Sequence, residues 1–206
     1  MTEPVAVAVL AKAPLAGFAK TRLIPLLGAE RAAQLQARLI AHAIATAISA
    51  AVGPITLWGT PDVMHPCFTA LQMRGIAVAP QGEGDLGARM LEAVTAAKQP
   101  VLVVGTDCPV LTPEHLRKAA ELLRSGTDVV VYPAEDGGYV LIGMRQPEPS
   151  LFDGMAWGCK DVMNETRKRL HRLGRSWQEP VTLWDLDRPE DLERLRHCNL
   201  AALVAQ

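Results

Sequence analysis

Short apolar runs alternate along the chain with longer segments in which apolar residues recur at helical spacing. Residues 5–11 read VAVAVLA, a continuous β-branched run with the length of a buried strand. Residues 29–51 place Leu35 and Leu39 on one face of a helix, and many alanines favour that state. The alternation continues along the chain. It predicts an α/β fold of three layers, α/β/α, with a mostly parallel central sheet.

The same pattern sets the expected bounds of the other elements. Further strands are predicted at residues 55–58, 76–79, 101–104, 129–132, 139–142 and 181–186, and further helices at 62–74, 86–97, 113–124 and 160–173. Pro189 is expected to begin a last helix, and Thr112 to cap the helix at 113–124. Pro66 weakens the helix at 62–74 because proline disrupts helix interiors. With no linker, repeat or low-complexity tract, residues 1–206 are expected to form a single domain.

The composition of the chain argues against several classes of protein. The formal net charge of −1 argues against a nucleic-acid partner, which would require a basic excess. The four cysteines, Cys67, Cys108, Cys159 and Cys198, form no C-x-x-C pair and have no zinc-site spacing. Scattered thiols of this kind fit the reducing cytoplasm. Residues 5–11 are too few to cross a membrane, so a cytoplasmic enzyme without a membrane partner is expected.

In open α/β sheets, ligands bind beyond the carboxyl ends of the strands, and a basic loop follows the first predicted strand. Residues 12–23 read KAPLAGFAKTRL, with no acidic residue between Glu3 and Glu30. Cations this close together repel one another unless an anion joins them, and a polyphosphate fits them best. The predicted phosphate-binding residues are Lys12, Gly17, Lys20, Thr21 and Arg22. The loop is expected to be exposed, and it is not a Walker loop, because Ala19 and Pro14 replace the required glycines.

Residues 82–87 read GEGDLG and match the dinucleotide-binding pattern G-x-G-x-x-G. The match follows the third predicted strand rather than the first, and Glu83 and Asp85 would place negative charge beside a pyrophosphate. We therefore interpret this segment as a loop that contacts a base or an acceptor. Gln81, Asp85 and Gly87 are assigned to the predicted nucleotide-binding set.

Asp107 follows the central predicted strand in the segment GTDCP, residues 105–109. A carboxylate at this position, opposite a basic loop, is typical of an Mg²⁺ ligand that bridges phosphates, although a turn or helix cap would also use an aspartate. Lys20 and Asp107 are the two predicted catalytic residues. The neighbouring Cys108 has no evident histidine partner, so it is interpreted as a small buried side chain rather than a nucleophile.

Two more segments carry candidate polar groups. Asp136, Gly137 and Gly138 form a predicted turn between strands, where paired glycines let a ligand approach the backbone, and they are assigned to the acceptor side. Asp185 and Asp187 alternate along an extended segment and so share a side. Either of them is a candidate second metal ligand, and Asp187 is also placed to cap the helix that begins at Pro189.

Five motifs occur in the order K-x-P-x-x-G-x-x-K-T-R-L, G-D-L-G-x-R-M, G-T-D-C-P, D-G-G-Y-x-L-I-G and D-x-D-x-P-E-D-L. Together they cover nearly the whole chain and resemble the DUF2064 family, whose members are sometimes described as glycosyltransferases associated with radical-SAM or arsenosugar gene clusters. The resemblance implies the GT-A, or nucleotide-diphospho-sugar transferase, fold. That superfamily also includes molybdenum-cofactor nucleotidyltransferases, phospholactate guanylyltransferases and sugar-phosphate cytidylyltransferases.

The resemblance also implies roles for particular residues. Asp107 and Asp187 match the metal ligands of the superfamily, for Mg²⁺ or Mn²⁺, and Lys12, Lys20 and Arg22 match its phosphate-binding loop. This chain departs from the glycosyltransferase pattern D-x-D, because Gly105 stands two residues before Asp107.

Three functions follow as hypotheses. The first is metal-dependent nucleotidyl transfer from a nucleoside triphosphate to a small phosphorylated acceptor, with release of pyrophosphate. The second is glycosyl transfer from a nucleotide sugar, and the third is nucleotide binding without catalysis. The presence of three cations in the basic loop favours a triphosphate and hence the first hypothesis.

Overall fold

The fold is a seven-stranded sheet between two layers of helices, seen in a computed structural model that describes residues 3–198 and 200–203. The strands are β1 (Ala6–Lys12), β2 (Ile55–Thr60), β3 (Ala77–Pro80), β4 (Val101–Val104), β5 (Val129–Pro133), β6 (Tyr139–Met144) and β7 (Trp177–Gln178). The α-helices are α1 (Ile24–Leu27), α2 (Ala29–Ala50), α3 (Pro66–Met73), α4 (Leu86–Ala97), α5 (Pro113–Arg124), α6 (Val162–Arg172) and α7 (Pro189–His197). Short 3₁₀ helices lie at Thr21–Leu23, Pro149–Leu151 and Ala201–Leu203.

The sheet has the order β3-β2-β1-β4-β6-β5-β7, and β6 is antiparallel to both of its neighbours while the other pairings are parallel. The strand order reverses between β1 and β4, which opens a crevice beyond their carboxyl ends. Because β6 runs in the opposite direction, the turn between β5 and β6 lies at that same edge. The topology therefore brings the loops after β1 and β4 together with the β5–β6 turn.

The two faces of the sheet explain the continuous apolar runs. Along β1 and the residue before it, Val5, Val7 and Val9 belong to one core cluster, together with side chains from α2, α3 and α5. Ala6 and Ala8 belong to the second cluster, together with side chains from α4 and α6. A strand that is buried on both faces needs apolar residues at every position. The predicted three layers and mostly parallel sheet are confirmed.

A third apolar cluster lies outside the sheet and joins the two ends of the chain. Leu23, at the end of the basic loop, and Leu186 are both fully buried, and they pack with α2 and with the leucines of α7. This cluster holds the segment after β1 against the segment before α7. It therefore sets the position of the charged residues on either side of each leucine.

Several predicted bounds were wrong. Residues 181–186 do not form a strand: Leu183 makes a single bridge to Ala134, and β7 lies earlier, at Trp177–Gln178. The helix expected at 62–74 begins at Pro66, because proline is well suited to the first helical position, where no N–H bond is lost. The helix expected at 160–173 is Val162–Arg172. Thr112 caps α5, as predicted.

Candidate active site

A cleft of about 650 Å³ opens at the carboxyl edge of the sheet. Of the residues predicted to form a site, those that line it are Lys12, Lys20, Thr21, Arg22, Gln81, Asp107, Asp136, Gly138 and Asp187. Asp185 lines it as well. The structure thus brings together segments that lie far apart in the sequence, as the topology requires.

Lys20 is the most tightly held cation of the basic loop. Its ammonium lies 2.8 Å from Oδ1 of Asp107 and donates a hydrogen bond of 2.5 Å to the carbonyl of Leu186. Its side chain is only 4% exposed, so the expectation of an exposed loop was wrong at this residue. The backbone of Lys20 is left-handed, with φ of 48°. A residue other than glycine adopts this conformation at a cost, which the contacts of its side chain offset here.

Arg22 forms a second ion pair, with Asp187, and its side chain is more exposed than that of Lys20. Both predicted metal ligands are therefore paired with cations of the predicted phosphate loop. In each pair the charge of a predicted phosphate-binding cation is balanced by that of a predicted metal ligand.

Leu186 explains why its two neighbours face the cleft. Its side chain is fully buried in the third apolar cluster, and its N–H donates a 2.7 Å hydrogen bond to the carbonyl of Asp107. In an extended segment the residues on either side of a buried one point the opposite way, so Asp185 and Asp187 project into the cleft. Leu186 therefore ties both predicted metal ligands to Lys20 through backbone contacts.

Asp185 lies close enough to three other aspartates of the cleft to be affected by their charges. Burial raises the pKa of its carboxyl group to about 6, and the charges of Asp136, Asp107 and Asp187 raise it in the same direction. Carboxylates this close repel one another unless a cation joins them. Among the residues that the structure describes, no three His, Cys, Asp or Glu side chains are arranged to hold a metal ion by themselves. Mg²⁺ commonly takes only one or two protein carboxylates and completes its shell with phosphate and water, so these aspartates fit that ion.

Gln36 supports the site from α2, and the sequence analysis missed it. Its side chain is buried, and its amide nitrogen donates hydrogen bonds to Oγ1 of Thr106 at 3.1 Å and to the carbonyl of Lys12 at 3.3 Å. The Thr106 hydroxyl in turn donates to Oδ1 of Asp107, at 3.3 Å. One amide thus fixes the loop after β1 relative to the loop after β4.

The G-x-G-x-x-G segment forms the start of α4. The carboxylate of Asp85 accepts a 2.9 Å hydrogen bond from the N–H of Ala88, so Asp85 caps this helix and does not line the cleft. Gly87 is buried, and a Cβ at this position would lie 2.7 Å from the ring of Trp157. Both residues were predicted to contact a nucleotide, which stays a prediction; the structure shows each of them in a local contact at the start of α4. Gly17, with φ of +83°, also lies outside the cleft lining, in the turn before Lys20.

Gln81 lines the cleft at the end of β3. Its amide nitrogen donates to the carbonyl of Trp58 at 2.8 Å and to that of Ala11 at 3.1 Å. Because both partners are carbonyls, the orientation of the amide is defined, and its oxygen is left to act as an acceptor.

The predicted acceptor-side turn lies at the cleft, as expected for a β5–β6 connection. Oδ1 of Asp136 accepts a 2.9 Å hydrogen bond from the N–H of Gly138. Gly137 has φ of +95°, and a Cβ there would lie 2.0 Å from the carbonyl of Lys160, so this position requires glycine. Gly137 itself does not line the cleft.

Cys108 is buried, as predicted. Burial raises the pKa of its thiol to about 12, and the nearby charges of Asp185 and Asp107 add to that rise. A thiol with this pKa is protonated at neutral pH, which argues against a nucleophilic role.

Comparison with known proteins identifies the fold and the family of this chain. The crystal structure of a Desulfovibrio desulfuricans G20 protein assigned to the nucleotide-diphospho-sugar transferases superposes with a TM-score of 0.86. The two chains are 26% identical, and the match covers 97% of this chain and 96% of the other. The chain therefore has the nucleotide-diphospho-sugar transferase fold. The model of the DUF2064 family, described as "Uncharacterized protein conserved in bacteria", matches residues 41–159, more than half of the chain, and this chain belongs to that family.

Two curated relatives have named activities. The phosphoenolpyruvate guanylyltransferase of Chloroflexus aurantiacus is 30% identical over 190 residues, which cover 88% of this chain and 90% of that protein. The 2-phospho-L-lactate guanylyltransferase of Methanosarcina mazei is 26% identical over 129 residues, or 63% of this chain. The matched part spans 58% of the length of the M. mazei protein.

In the part of the chain that the structure describes, no helix is both long and apolar enough to span a membrane.

Proposed function

We propose that this chain is a metal-dependent nucleotidyltransferase that joins a nucleoside monophosphate to a small phosphorylated acid. An oxygen of the acceptor phosphate attacks the α-phosphorus of a nucleoside triphosphate. The bond from that phosphorus to the bridging oxygen of the β-phosphate breaks, and pyrophosphate leaves with the electron pair. No covalent bond to the protein is required, because positioning and electrostatic stabilisation supply the rate enhancement.

The observation that carries the proposal is the meeting of the basic loop with Asp107 in one cleft at the reversal point of the sheet. Lys20 and Arg22 present charge-assisted donors to phosphate oxygens, and Lys12 lies on the same wall. Gln81 lines the cleft, and its side-chain oxygen would accept a hydrogen bond from a base. These groups fit the phosphates and the base of one nucleotide.

The charges of the cleft support a requirement for a dication. The charged residues that line it are Lys12, Lys20, Arg22, Arg89, Asp107, Asp136, Asp185 and Asp187. Positive and negative groups balance, so the protein alone does not offset the charge of a triphosphate. A bound Mg²⁺ or Mn²⁺ would supply this compensation at the phosphate oxygens. Asp107 and Asp187 would hold the ion, and Asp185 is the alternative to Asp187.

The relatives indicate the substrates. Both curated names specify transfer of a guanylyl group, to phosphoenolpyruvate in one case and to 2-phospho-L-lactate in the other. These acceptors share a phosphate beside a carboxylate on a short carbon skeleton. We therefore infer GTP as the donor and an acid of this class as the acceptor.

The test is a donor and acceptor screen with pyrophosphate release as the readout. Each nucleoside triphosphate is incubated with phosphoenolpyruvate or 2-phospho-L-lactate, with Mg²⁺, with Mn²⁺ and with EDTA. We expect acceptor-dependent release of pyrophosphate from GTP that EDTA abolishes. The Asp107→Asn protein is the control for a contaminating activity.

Nucleotide sugars are screened in parallel. Release of a nucleoside diphosphate from a nucleotide sugar, without pyrophosphate release from any triphosphate, would establish glycosyl transfer and overturn the proposal. Metal-dependent nucleotide binding without turnover of any donor would make the chain a binding module.

A further inference from the structure

Arg89 of α4 carries a charge that no side chain of the described residues balances. The two acidic residues one turn away on the helix, Asp85 and Glu92, are committed elsewhere. Asp85 accepts a 2.9 Å hydrogen bond from the N–H of Ala88, and Glu92 accepts one of 2.8 Å from the N–H of Gly82. Residues at these spacings are the usual partners of a helical arginine. Their diversion to backbone groups leaves the Arg89 guanidinium free at the wall of the cleft.

Two buried donors on this wall have no acceptor among the residues that the structure describes. They are Nε of Arg89 and Nε1 of Trp157, and both residues line the cleft. A buried donor without a partner is rare in folded proteins and often marks a place that a ligand completes. The Trp157 ring is held by an edge contact with Tyr139 and by packing over the backbone of Gly87, two residues before Arg89. The indole therefore belongs to the same end of α4 as the guanidinium.

Lys20 and Arg22, which also line the cleft, differ from Arg89 because each has an acidic partner. Lys20 is paired with Asp107 and Arg22 with Asp187, at the segments that we assign to the triphosphate and the metal. Arg89 belongs to α4, which covers the same face of the sheet as α6, whereas Leu23 at the end of the basic loop packs with α2 and α7. Arg89 is thus placed for an anion that the triphosphate site does not already hold.

We propose that Arg89, with the indole N–H of Trp157, forms the subsite for the carboxylate of the acceptor. This inference rests on the proposed function, in which the acceptor carries both a phosphate and a carboxylate. Guanidinium nitrogens match the two oxygens of a carboxylate, and a charged pair of this kind fixes orientation as well as affinity. Anchoring the carboxylate here turns the acceptor phosphate toward the α-phosphorus of the nucleotide. Binding of the acid through these atoms requires that the two buried donors become accessible.

The test measures how Arg89→Gln affects each of the two substrates separately. Michaelis constants are measured for GTP and for phosphoenolpyruvate or 2-phospho-L-lactate, whichever the wild type uses. We expect the acceptor constant to rise about 10- to 100-fold, the range for loss of a charge-assisted hydrogen bond, and the GTP constant to stay unchanged. Arg89→Lys should recover part of the loss. Arg74→Gln, at an exposed position after α3, is the matched control, and thermal melting checks that each variant is folded.

Ethyl phosphate has the phosphate of the acceptor but no carboxylate, and it is tested as a competitive inhibitor of the acceptor. Its inhibition constant should be the same in wild type and Arg89→Gln. Trp157→Phe removes the indole N–H and should raise the acceptor constant less than Arg89→Gln does. A raised GTP constant with an unchanged acceptor constant would assign Arg89 to the nucleotide and overturn the inference. An equal loss for ethyl phosphate would show that Arg89 binds phosphate. If wild type turns over no acid, the proposed function itself fails, which is a separate result.

Discussion

The Lys20 ammonium lies 2.8 Å from the Asp107 carboxylate, so a predicted phosphate-binding cation and a predicted metal ligand neutralise each other. Arg22 and Asp187 repeat this relationship on the same side of the cleft. In the proposed function, a triphosphate would draw the cations away from the carboxylates, and a dication would draw the carboxylates away from the cations. Binding of either ligand would then free the groups that bind the other.

The first prediction is that GTP and Mg²⁺ bind with positive coupling. Isothermal titration of GTP with and without Mg²⁺, at constant ionic strength, should give affinities that differ by about 1–3 kcal/mol beyond the coupling of the two ligands in solution. Lys20→Met should reduce this coupling, because Asp107 would then be free for the metal at all times. Equal coupling in wild type and Lys20→Met would contradict the idea that Lys20 and Asp107 leave each other to bind the triphosphate and the metal.

The second prediction concerns the carboxylates. Asp107→Asn keeps the size of the side chain and removes its charge, so it should abolish most Mg²⁺-dependent binding of GTP. Asp187→Asn should act in the same direction, and the double variant should lose less than the two single losses combined, since both groups would hold one ion. Asp185→Asn shows which of the two neighbours is the ligand. Asp153→Asn, at an exposed position outside the cleft, is the control. Unchanged metal dependence in Asp107→Asn would exclude it as a ligand.

Most of the fold could be predicted because its strands are buried on both faces. Runs such as residues 101–104 are apolar at every position, which is typical of a strand covered on both faces. The segment 181–186 is also rich in large apolar residues and yet is not a strand. Its Leu186 is buried in a cluster outside the sheet, and its N–H bonds to the carbonyl of Asp107 rather than to a neighbouring strand. Local pattern cannot distinguish these two kinds of burial.

The site was predictable where its residues follow strands directly. Lys20 and Asp107 could be placed because their loops follow β1 and β4, whose carboxyl ends the topology brings to one edge. Asp187 was placed after a predicted strand that the structure does not contain, and it reaches the cleft beside the buried Leu186. Gln36 and Arg89 could not be placed, because each looks like an ordinary polar residue of an amphipathic helix. The partners of Gln36 lie 24 and 70 residues away in the sequence. Asp85 caps α4, and the sequence could not show this role because a helix cap and a ligand contact use the same residue type.

The third prediction tests the positioning role of Gln36. Gln36→Ala should lower the free energy of unfolding by about 1–3 kcal/mol, because it leaves buried acceptors of two loops without a donor. It should also weaken GTP binding, although Gln36 donates only to groups of the protein. Gln34→Ala, at an exposed position of the same helix, is the matched control and should change neither quantity. A loss of stability with normal GTP binding would reduce Gln36 to a purely structural residue.

The fourth prediction uses the cysteines as reporters of the cleft. The thiolate is the reactive form, and burial raises the pKa of Cys108 to about 12, so this thiol stays protonated and unreactive at pH 8. Cys159 is exposed and lines the cleft, whereas Cys198 is exposed outside it. Iodoacetamide at pH 8 should therefore modify Cys159 and Cys198 in the folded protein and reach Cys108 only in denaturant, as mapped by peptide mass spectrometry.

GTP with Mg²⁺ should slow modification of Cys159 and leave Cys198 unaffected. Rapid modification of folded Cys108 would restore it as a candidate nucleophile, and equal protection of Cys159 and Cys198 would show that GTP acts through global stability rather than by occupying the cleft.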